Sequence, residues 1–369
     1  MADSAAPVRV AACGCITAFG DAAATQAALA RGESALRSVG ILGREGGDKV
    51  PMALLPGRSL DETNPPDWLA AIRRLHGSIP DRGWGSPSSP VFVTGSNFGV
   101  GGLYALRRTG DPSFANGSAL PTCTERLRAE LGWGPDVSIV SHACVSAHLG
   151  LLLATRVVLA GLADDALVLS FDFLSPFVAG GFHALKILNS DFPSPYRLRD
   201  SGAIGLGDGA GFAVIARGRG DWVLSGQSVY NEMHHFTSNR SDGSGFTRCL
   251  ESVAAAARGR RVWFKGHGTG TLDAGKLEVG AAARAFPGAP IVGWKGSLGH
   301  TLGSCGLVEL AIAIEAVRAG RTPGTVGGAG RAMGDTVALE SFANGAFDGI
   351  VCASNAFGGA HAAFLLCHA

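Results

Sequence analysis

The sequence predicts a layered α/β fold, with two successive halves of mixed sheet covered by helices. Apolar strand-like runs alternate with helix-like segments along most of the 369 residues. Runs such as Leu167 to Leu169 are apolar without alternation, which is typical of strands buried on both faces. The order of predicted elements after residue 220 repeats the order before it. We therefore place the halves at 1–220 and 221–369, sharing one core because no long linker separates them.

Composition alone argues against several classes of protein, namely disordered, fibrous, nucleic-acid-binding and membrane-spanning ones. The chain is 46% hydrophobic and 17% charged, which favours a large packed core over a disordered or fibrous protein. A formal net charge of +1 provides no overall field to attract nucleic acid or an anionic membrane. The most apolar stretch is interrupted by Arg156 and falls short of the roughly 20 residues of a membrane span. With no signal peptide visible, we expect a compact cytoplasmic protein.

The first half is predicted from apolar runs bounded by glycine or proline, and from alanine- or leucine-rich segments that end at glycine. Glycines between 95 and 102 predict a tight turn, and the proline-interrupted stretch 43–81 is expected to be irregular except for one helix. Strands are predicted at 8–12, 91–94, 137–140, 166–171 and 211–216, and helices at 21–31, 68–76, 148–160 and 182–188.

The second half follows the charged connection Arg217 to Asp221 and is predicted by the same signals. Its predicted strands are 222–227, 262–265, 291–294, 350–353 and 362–366, and its predicted helices are 248–258, 276–286 and 302–319. Candidate functional residues follow the ends of several of these strands, where α/β folds build their sites.

Cys144 is the first candidate, in the segment His142 to Ser146 between a strand and a helix. The free amides and the positive end of the helix dipole are predicted to stabilise its thiolate, the nucleophilic form. A buried structural cysteine is the alternative for Cys144, and it is our prediction for the other seven cysteines. The cysteine spacings match no zinc motif, and we predict neither a metal nor a cofactor.

Two histidines are the second and third candidates, each placed after a strand. His267 lies in Gly266 to Thr271 and His300 in Lys295 to Thr301. Lys295 and Glu309 are predicted to form a buried pair that orients His300, with the lysine charge disfavouring its protonation. The alternatives are a loop-capping role for the histidines and surface positions for the two charges.

Thr269 and Thr271 follow His267 within a glycine-rich segment that lacks the ending of a phosphate loop. Their hydroxyls are candidates to hydrogen-bond an elongated polar ligand such as a pantetheine arm. The alternative is that they serve the turn itself.

Taken together, the three segments resemble the signatures of the beta-ketoacyl-acyl carrier protein synthases, the elongating ketosynthases of the thiolase superfamily. The resemblance extends to the glycine-rich segment 205–211 and to Asn355 through His361. It implies a thiolase-like fold and a decarboxylative Claisen condensation of an acyl group with malonyl-acyl carrier protein, in fatty acid, polyketide or polyene biosynthesis. The implied partners are an acyl carrier protein with its phosphopantetheine-bound groups, and a second subunit in a homodimer or a heterodimer with a related ketosynthase.

The resemblance also implies a role for each candidate residue. Cys144 would take the acyl group, with the amides of Cys144 and Phe357 forming an oxyanion hole. Both histidines would hold the malonyl thioester carbonyl and stabilise the enolate. The supporting roles would fall to Lys295 and Glu309 behind His300, Thr269 and Thr271 on pantetheine, Phe357 as a gate and Phe182 in the acyl pocket. The two aromatic residues are equally compatible with plain core positions.

Three residues depart from the family pattern: His142 and Val145 beside the nucleophile, and Gly275 where the family usually has Asp. Two other functions therefore stay open at this stage. One is a non-catalytic or weakly active chain-length partner of a heterodimeric ketosynthase, although such partners usually lack the nucleophile. The other is a thiolase-like enzyme that uses coenzyme A, although a Cys usually stands where this chain has His300.

Overall fold

The computed structural model describes residues 6–41, 47–60, 68–199, 202–235 and 238–369. Its strands are β1 (Val8–Thr17), β2 (Gly20–Asp21), β3 (Arg37–Gly40), β4 (Lys49–Ala53), β5 (Val91–Thr94), β6 (Val137–Val140), β7 (Asp165–Asp172), β8 (Arg197–Leu198), β9 (Leu206–Gly207), β10 (Gly209–Arg217), β11 (Trp222–Asn231), β12 (Val262–Lys265), β13 (Ile291–Val292), β14 (Arg321–Thr322), β15 (Arg331–Ala332), β16 (Phe342–Ala343), β17 (Gly349–Ala356) and β18 (Ala360–His368). Its helices are α1 (Ala22–Ala30), α2 (Trp68–His76), α3 (Val100–Thr109), α4 (Leu120–Leu131), α5 (Ser146–Leu159), α6 (Pro176–Ala184), α7 (Ser244–Ala256), α8 (Leu272–Ala285), α9 (Lys295–Leu298) and α10 (Cys305–Arg318), with 3-10 turns at Pro112–Ala115 and Leu302–Ser304.

The large mixed sheet has the strand order β13-β12-β17-β18-β11-β1-β10-β7-β5-β6. Its centre is a short antiparallel contact between β1 and β11, at Arg9 with Val223 and Val10 with Trp222. Moving outward, each side has two antiparallel pairings followed by two parallel ones. The repeated order supports our proposed division near residue 220.

Helices α5 and α10 form a layer between the two halves of the sheet. α5 packs on β7, β10 and β18, and α10 packs on β1, β10 and β17. In α10 every residue from Cys305 to Ile314 is buried, which is typical of a helix covered on all sides. The outer faces are covered by α2 and α4 in the first half and by α7 and α8 in the second. The predicted layered α/β class is confirmed. No helix within the described ranges has both the length and the apolar character to cross a membrane.

Several predicted elements shift or were missed, for local reasons. The predicted helix 182–188 is wrong, because α6 begins at Pro176 and ends at Ala184. Ser175 caps its start by accepting from the Val178 amide, and proline at the first helical position reinforces that start. The predicted strand 291–294 ends early at Val292. Helix α3 was not predicted because it contains two adjacent glycines, and helix α4 was not predicted because its apolar stripe is short.

Candidate active site

The turn that carries Cys144 lies between β6 and α5 and contains hydrogen bonds among its own residues. The Ser146 hydroxyl accepts from the His142 amide at 2.7 Å and donates to the Ala143 carbonyl at 2.6 Å. Ala143 has a φ of 46°, in the left-handed region that costs a non-glycine residue about 1–2 kcal/mol. We call residues 142–146 the nucleophile turn. Its strained backbone holds Cys144 at one position, with 8% of the residue exposed.

The thiol of Cys144 faces an imidazole rather than open solvent. Its Sγ lies 3.1 Å from Nε2 of His300. Burial raises the pKa of the Cys144 thiol, the nearby Cys305 adds to this, and the opposing charge of Lys295 is too weak to reverse it. The expectation that the helix start would stabilise a thiolate is therefore wrong: α5 begins only at Ser146, and desolvation dominates. Deprotonation at neutral pH requires a base in contact.

His300 is held by backbone pairing with the predicted glycine-rich segment. Its amide donates to the Gly205 carbonyl at 2.7 Å, and its carbonyl accepts from the Gly207 amide at 3.0 Å. Burial lowers the pKa of His300 well below its usual range, and the charges of Lys295 and Lys265 lower it further. The ring is therefore neutral at neutral pH, and its Nε2 is in hydrogen-bond contact with the Cys144 thiol.

His267 lies beside His300, with ring centroids 4.8 Å apart and planes at 89°. The backbone amides of His267 and Gly268 donate to the Glu278 carboxylate, the second at 2.9 Å. The residue before His267 must be glycine, because a Cβ on Gly266 would collide with the Tyr196 hydroxyl. Burial lowers the pKa of His267 well below its usual range, as do Lys295, His300 and Lys265. Both imidazoles are thus held neutral.

Three buried charges, Lys265, Lys295 and Glu309, form what we call the charge cluster. Lys295 Nζ lies 2.6 Å from Glu309 Oε1, and Lys265 pairs with Oε2 of the same carboxylate. Burial lowers the pKa of Lys265. Glu309 raises this pKa in part, and the charge of Lys295 offsets some of that rise. In Lys295 burial acts in the same direction, but Glu309, Cys305 and Glu278 together outweigh it and the pKa is raised. Lys265 was not predicted as a site residue, although a lysine ending a strand buried on both faces was a usable signal.

Known proteins resemble the part of the chain that carries this site. Residues 223–329, which carry both histidines and Glu309, match the family model described as "Beta-ketoacyl synthase, C-terminal domain". A chloroplastic 3-oxoacyl-[acyl-carrier-protein] synthase II from Arabidopsis thaliana is 30% identical over 215 residues, covering 53% of this chain and 40% of that relative. The second half of the chain is therefore similar to the C-terminal domain of the beta-ketoacyl synthases. The chain spans about half the length of the curated relatives it matches.

Solved structures of ketosynthases share the fold over nearly the whole chain. A beta-ketoacyl synthase from Burkholderia phymatum superimposes with a TM-score of 0.81 at 20% identity, covering 99% of this chain and 100% of the other. A ketosynthase in complex with its chain length factor from Xenorhabdus doucetiae gives 0.79 at 19% identity, covering 99% and 98%. The predicted thiolase-like fold is confirmed.

The two aromatic candidates lie together. Phe357 stands in the tight connection between β17 and β18, and its ring centroid is 6.0 Å from that of Phe182 on α6. Ala356 and Ala360, on either side of this connection, pack in one apolar cluster with Cys144. Phe357 therefore stands in a connection whose flanking alanines pack with Cys144, and its role as a gate stays a prediction.

Thr269 and Thr271 line the half-exposed approach to His267. Their hydroxyl oxygens are 3.5 Å apart. Thr271 occupies the cap position of α8 but makes no side-chain capping bond. The two hydroxyls are therefore within hydrogen-bond distance of each other across the turn, as expected if they serve the turn itself, and the contact with pantetheine stays a prediction.

Two further buried groups near the site were not predicted. The Cys305 thiol donates to the Cys144 carbonyl at 3.3 Å and lies 3.5 Å from the Ser354 hydroxyl. His148 on α5 packs against Phe364, with ring centroids 5.1 Å apart. Burial lowers the pKa of His148 to about 3, with contributions from the charges of Lys265 and Lys295. Among the described residues, no group of three His, Cys, Asp or Glu side chains is arranged to hold a metal ion.

The departures from the family pattern have physical explanations at two positions. A Cβ on Gly275 would lie 3.0 Å from Sδ of Met333, so that side chain fills the space an aspartate would need. Val145 is fully buried in the same apolar cluster as Cys144, where a methyl-rich side chain packs well. Nothing in the structure explains why residue 142 is histidine.

Proposed function

We propose that this protein is a beta-ketoacyl-acyl carrier protein synthase, an acyltransferase of fatty acid, polyketide or polyene biosynthesis. It would join an acyl group held on Cys144 to malonyl-acyl carrier protein by decarboxylative Claisen condensation. The contact between Cys144 Sγ and His300 Nε2, at 3.1 Å, carries the proposal. All eight cysteines are free, which is typical of a reducing compartment and supports the cytoplasm as its location.

In the loading half-reaction, His300 Nε2 takes the proton of the Cys144 thiol as the sulfur attacks the carrier thioester carbonyl. The new C–S bond forms, the bond to the pantetheine sulfur breaks, and that sulfur leaves with the proton from His300. The amides of Cys144 and Phe357 are the proposed donors to the oxyanion. Because burial holds the His300 ring neutral, one ring nitrogen carries no proton before this step. The low pKa also makes the ring a weak base, so the proton moves as the sulfur attacks the carbonyl and no free thiolate forms.

In the condensing half-reaction, the His267 and His300 imidazoles donate hydrogen bonds to the malonyl thioester carbonyl. The bond between the α-carbon and the carboxylate breaks, carbon dioxide leaves, and the electron pair forms an enolate. Its carbon then attacks the acyl-Cys144 carbonyl, the C–S bond breaks, and the Cys144 sulfur leaves as a thiolate that takes a proton from solvent. Lys295 and Glu309 support His300 from beneath. Thr269 and Thr271 are the proposed contacts for pantetheine, and Phe182 and Phe357 border the acyl side.

The proposed partners are the acyl carrier protein and a second subunit, identical or related. Among the described residues β6 is the last strand at its end of the sheet, and open edges pair readily with another chain. Leu103 on α3 and Phe177 on α6 expose 42% and 48% of their surfaces near this end. Since β6 leads into the nucleophile turn, a subunit paired there would lie beside the active site.

The proposal is tested by intact-protein mass spectrometry after incubation with a hexanoyl-acyl carrier protein thioester. We expect the wild type to gain the mass of one hexanoyl group and Cys144→Ala to gain none, because the only thiol in contact with a base is removed. Cys13→Ala removes a more exposed free cysteine and should keep the adduct. A wild type that stays unmodified with a functional carrier would overturn the enzyme assignment and favour the chain-length partner.

A further inference from the structure

Lys265 occupies an unusual position for a charged residue. It is the last residue of β12, a strand whose four residues are all buried, and the lysine itself is 0% exposed. Side chains alternate along a strand, so Lys265 shares a face with Trp263, which packs in the central core against Trp294. The lysine therefore extends into the layer of α10, toward Glu309, and not into the outer core.

Glu309 is shared between two cations on different elements. Its Oε1 pairs with Lys295 from α9, and its Oε2 pairs with Lys265 from β12. One carboxylate can balance only one of these two ammonium groups. Burying the other charge is costly unless it interacts with something that gains negative charge.

We infer that Lys265 is a positioning residue of the condensing site, which holds Glu309 from the strand side and places a surplus positive charge beneath His267 and His300. The inference rests on the proposed function, because decarboxylation of a malonyl thioester develops negative charge on the oxygen that the two imidazoles hold. Lys265 lies two residues before His267 in the chain, so β12 positions the charge and the imidazole together. No contact between Lys265 and substrate is implied.

The surplus charge has a second consequence, for the protonation of the two imidazoles. Lys265 and Lys295 both lower the pKa of His267 and of His300. Loss of the Lys265 charge should therefore make both rings easier to protonate. The other titratable groups that face them come from several elements: Cys144 on its turn, His148 on α5, Tyr196 before β8, Glu278 on α8, and Cys305 and Glu309 on α10.

The test compares Lys265→Met, Lys265→Arg and the control Lys276→Met, which removes an exposed lysine from α8. Release of carbon dioxide from malonyl-pantetheine is measured against pH, so that carrier docking plays no part. For Lys265→Met we expect kcat to fall about tenfold with KM unchanged, and the acid limb of the profile to move up by about one pH unit. Lys265→Arg should restore both, and Lys276→Met should match the wild type.

A histidine-ring NMR titration of the same variants provides a readout that needs no turnover. We expect two ring signals, absent from the His267→Ala and His300→Ala spectra, to titrate at higher pH in Lys265→Met than in the wild type. Unchanged titrations and an unchanged acid limb in a folded Lys265→Met protein would overturn the role of Lys265 while leaving the proposed function standing. A wild type with no decarboxylation would instead overturn the proposed function, and the NMR result would still decide whether Lys265 controls the imidazoles.

Discussion

The nucleophile turn and the charge cluster contribute to one site by opposite means. The turn is held mainly by hydrogen bonds within five residues and by the left-handed backbone of Ala143, with added contacts from Gly95 and Cys305. The cluster joins Lys265, Lys295 and Glu309, which lie up to 44 residues apart on three elements. The difference teaches that the turn's shape depends largely on nearby residues, whereas protonation depends on burial, reinforced by charges that the fold brings in from a distance.

This division explains how a thiol with a raised pKa can serve as the nucleophile. Burial disfavours the thiolate of Cys144, and the turn alone cannot offset this. The same burial, reinforced by the two lysines, keeps His300 neutral and able to take the proton. Predictions that separate the two regions follow, in order of decreasing effect.

The largest effect is expected from removing the imidazole that joins the two regions. His300→Ala should lower both acyl loading and malonyl decarboxylation by about 10²–10³-fold, because Nε2 contacts the thiol and is a proposed donor to the carbonyl. His267→Ala should lower decarboxylation by about 10²-fold and change loading little. Time-resolved adduct formation and carbon dioxide release measure the two half-reactions separately. Loading at the wild-type rate in His300→Ala would contradict its role as the base.

A smaller effect is expected at His148, on the helix after the nucleophile turn. Burial lowers its pKa, and the charges of Lys265 and Lys295 in the charge cluster lower it further. Its folded-state pKa of about 3 lies below the unfolded value near 6.5, so the unfolded chain binds the proton more readily. Its contribution to stability is therefore lost as pH falls below about 6.5, reaching about 2 kcal/mol at pH 5. Between pH 7 and pH 5, His148→Leu should lose about that much less free energy of unfolding than the wild type.

Urea unfolding at the two pH values measures the His148 effect. His234→Leu, which removes an exposed histidine, is the control and should keep the wild-type dependence on pH. If His148→Leu and the wild type lose the same free energy of unfolding between pH 7 and pH 5, then burial and the charge cluster do not lower the pKa of His148.

The smallest effect is expected within the nucleophile turn itself. Ala143→Gly removes the cost of a left-handed non-glycine residue, about 1–2 kcal/mol, and adds the entropy cost of glycine, about 0.5–1 kcal/mol. The free energy of unfolding should rise by about 0.5–1 kcal/mol. Lys186→Gly, at an exposed residue with a φ of 58°, is the matched control and should give a similar gain. A clear loss of stability in Ala143→Gly alone would mean that the methyl group has a packing role.

The sequence supplied most of the candidate site because its key residues follow strands, and strands are visible as apolar runs. β12 and β5 have their predicted bounds, and His267 stands two residues after β12. The same reasoning missed Lys265 as a site residue, because it was assigned to the predicted strand 262–265 as its last residue. Its partner Glu309 lies on another element, and no pattern along the chain reports a pairing across 44 residues.

The protonation of the site was the part least open to prediction. A cysteine before a helix suggests a thiolate, and only the packing around Cys144 reveals that desolvation dominates. Boundaries set by caps were also missed: Ser175 and Pro176 begin α6 earlier than its apolar residues indicate. The role of each candidate side chain remains our proposal.

The placement of α10 also bears on how the chain is made. This helix lies near the C-terminus of the sequence, yet it covers β1 and β10 of the first half as well as β17 of the second. During synthesis the strands of the first half-sheet leave the ribosome long before α10, the helix that covers their inner face. The growing polypeptide therefore carries an unshielded apolar surface for much of its translation, and the nucleophile turn can meet His300 only after the second half has been synthesised.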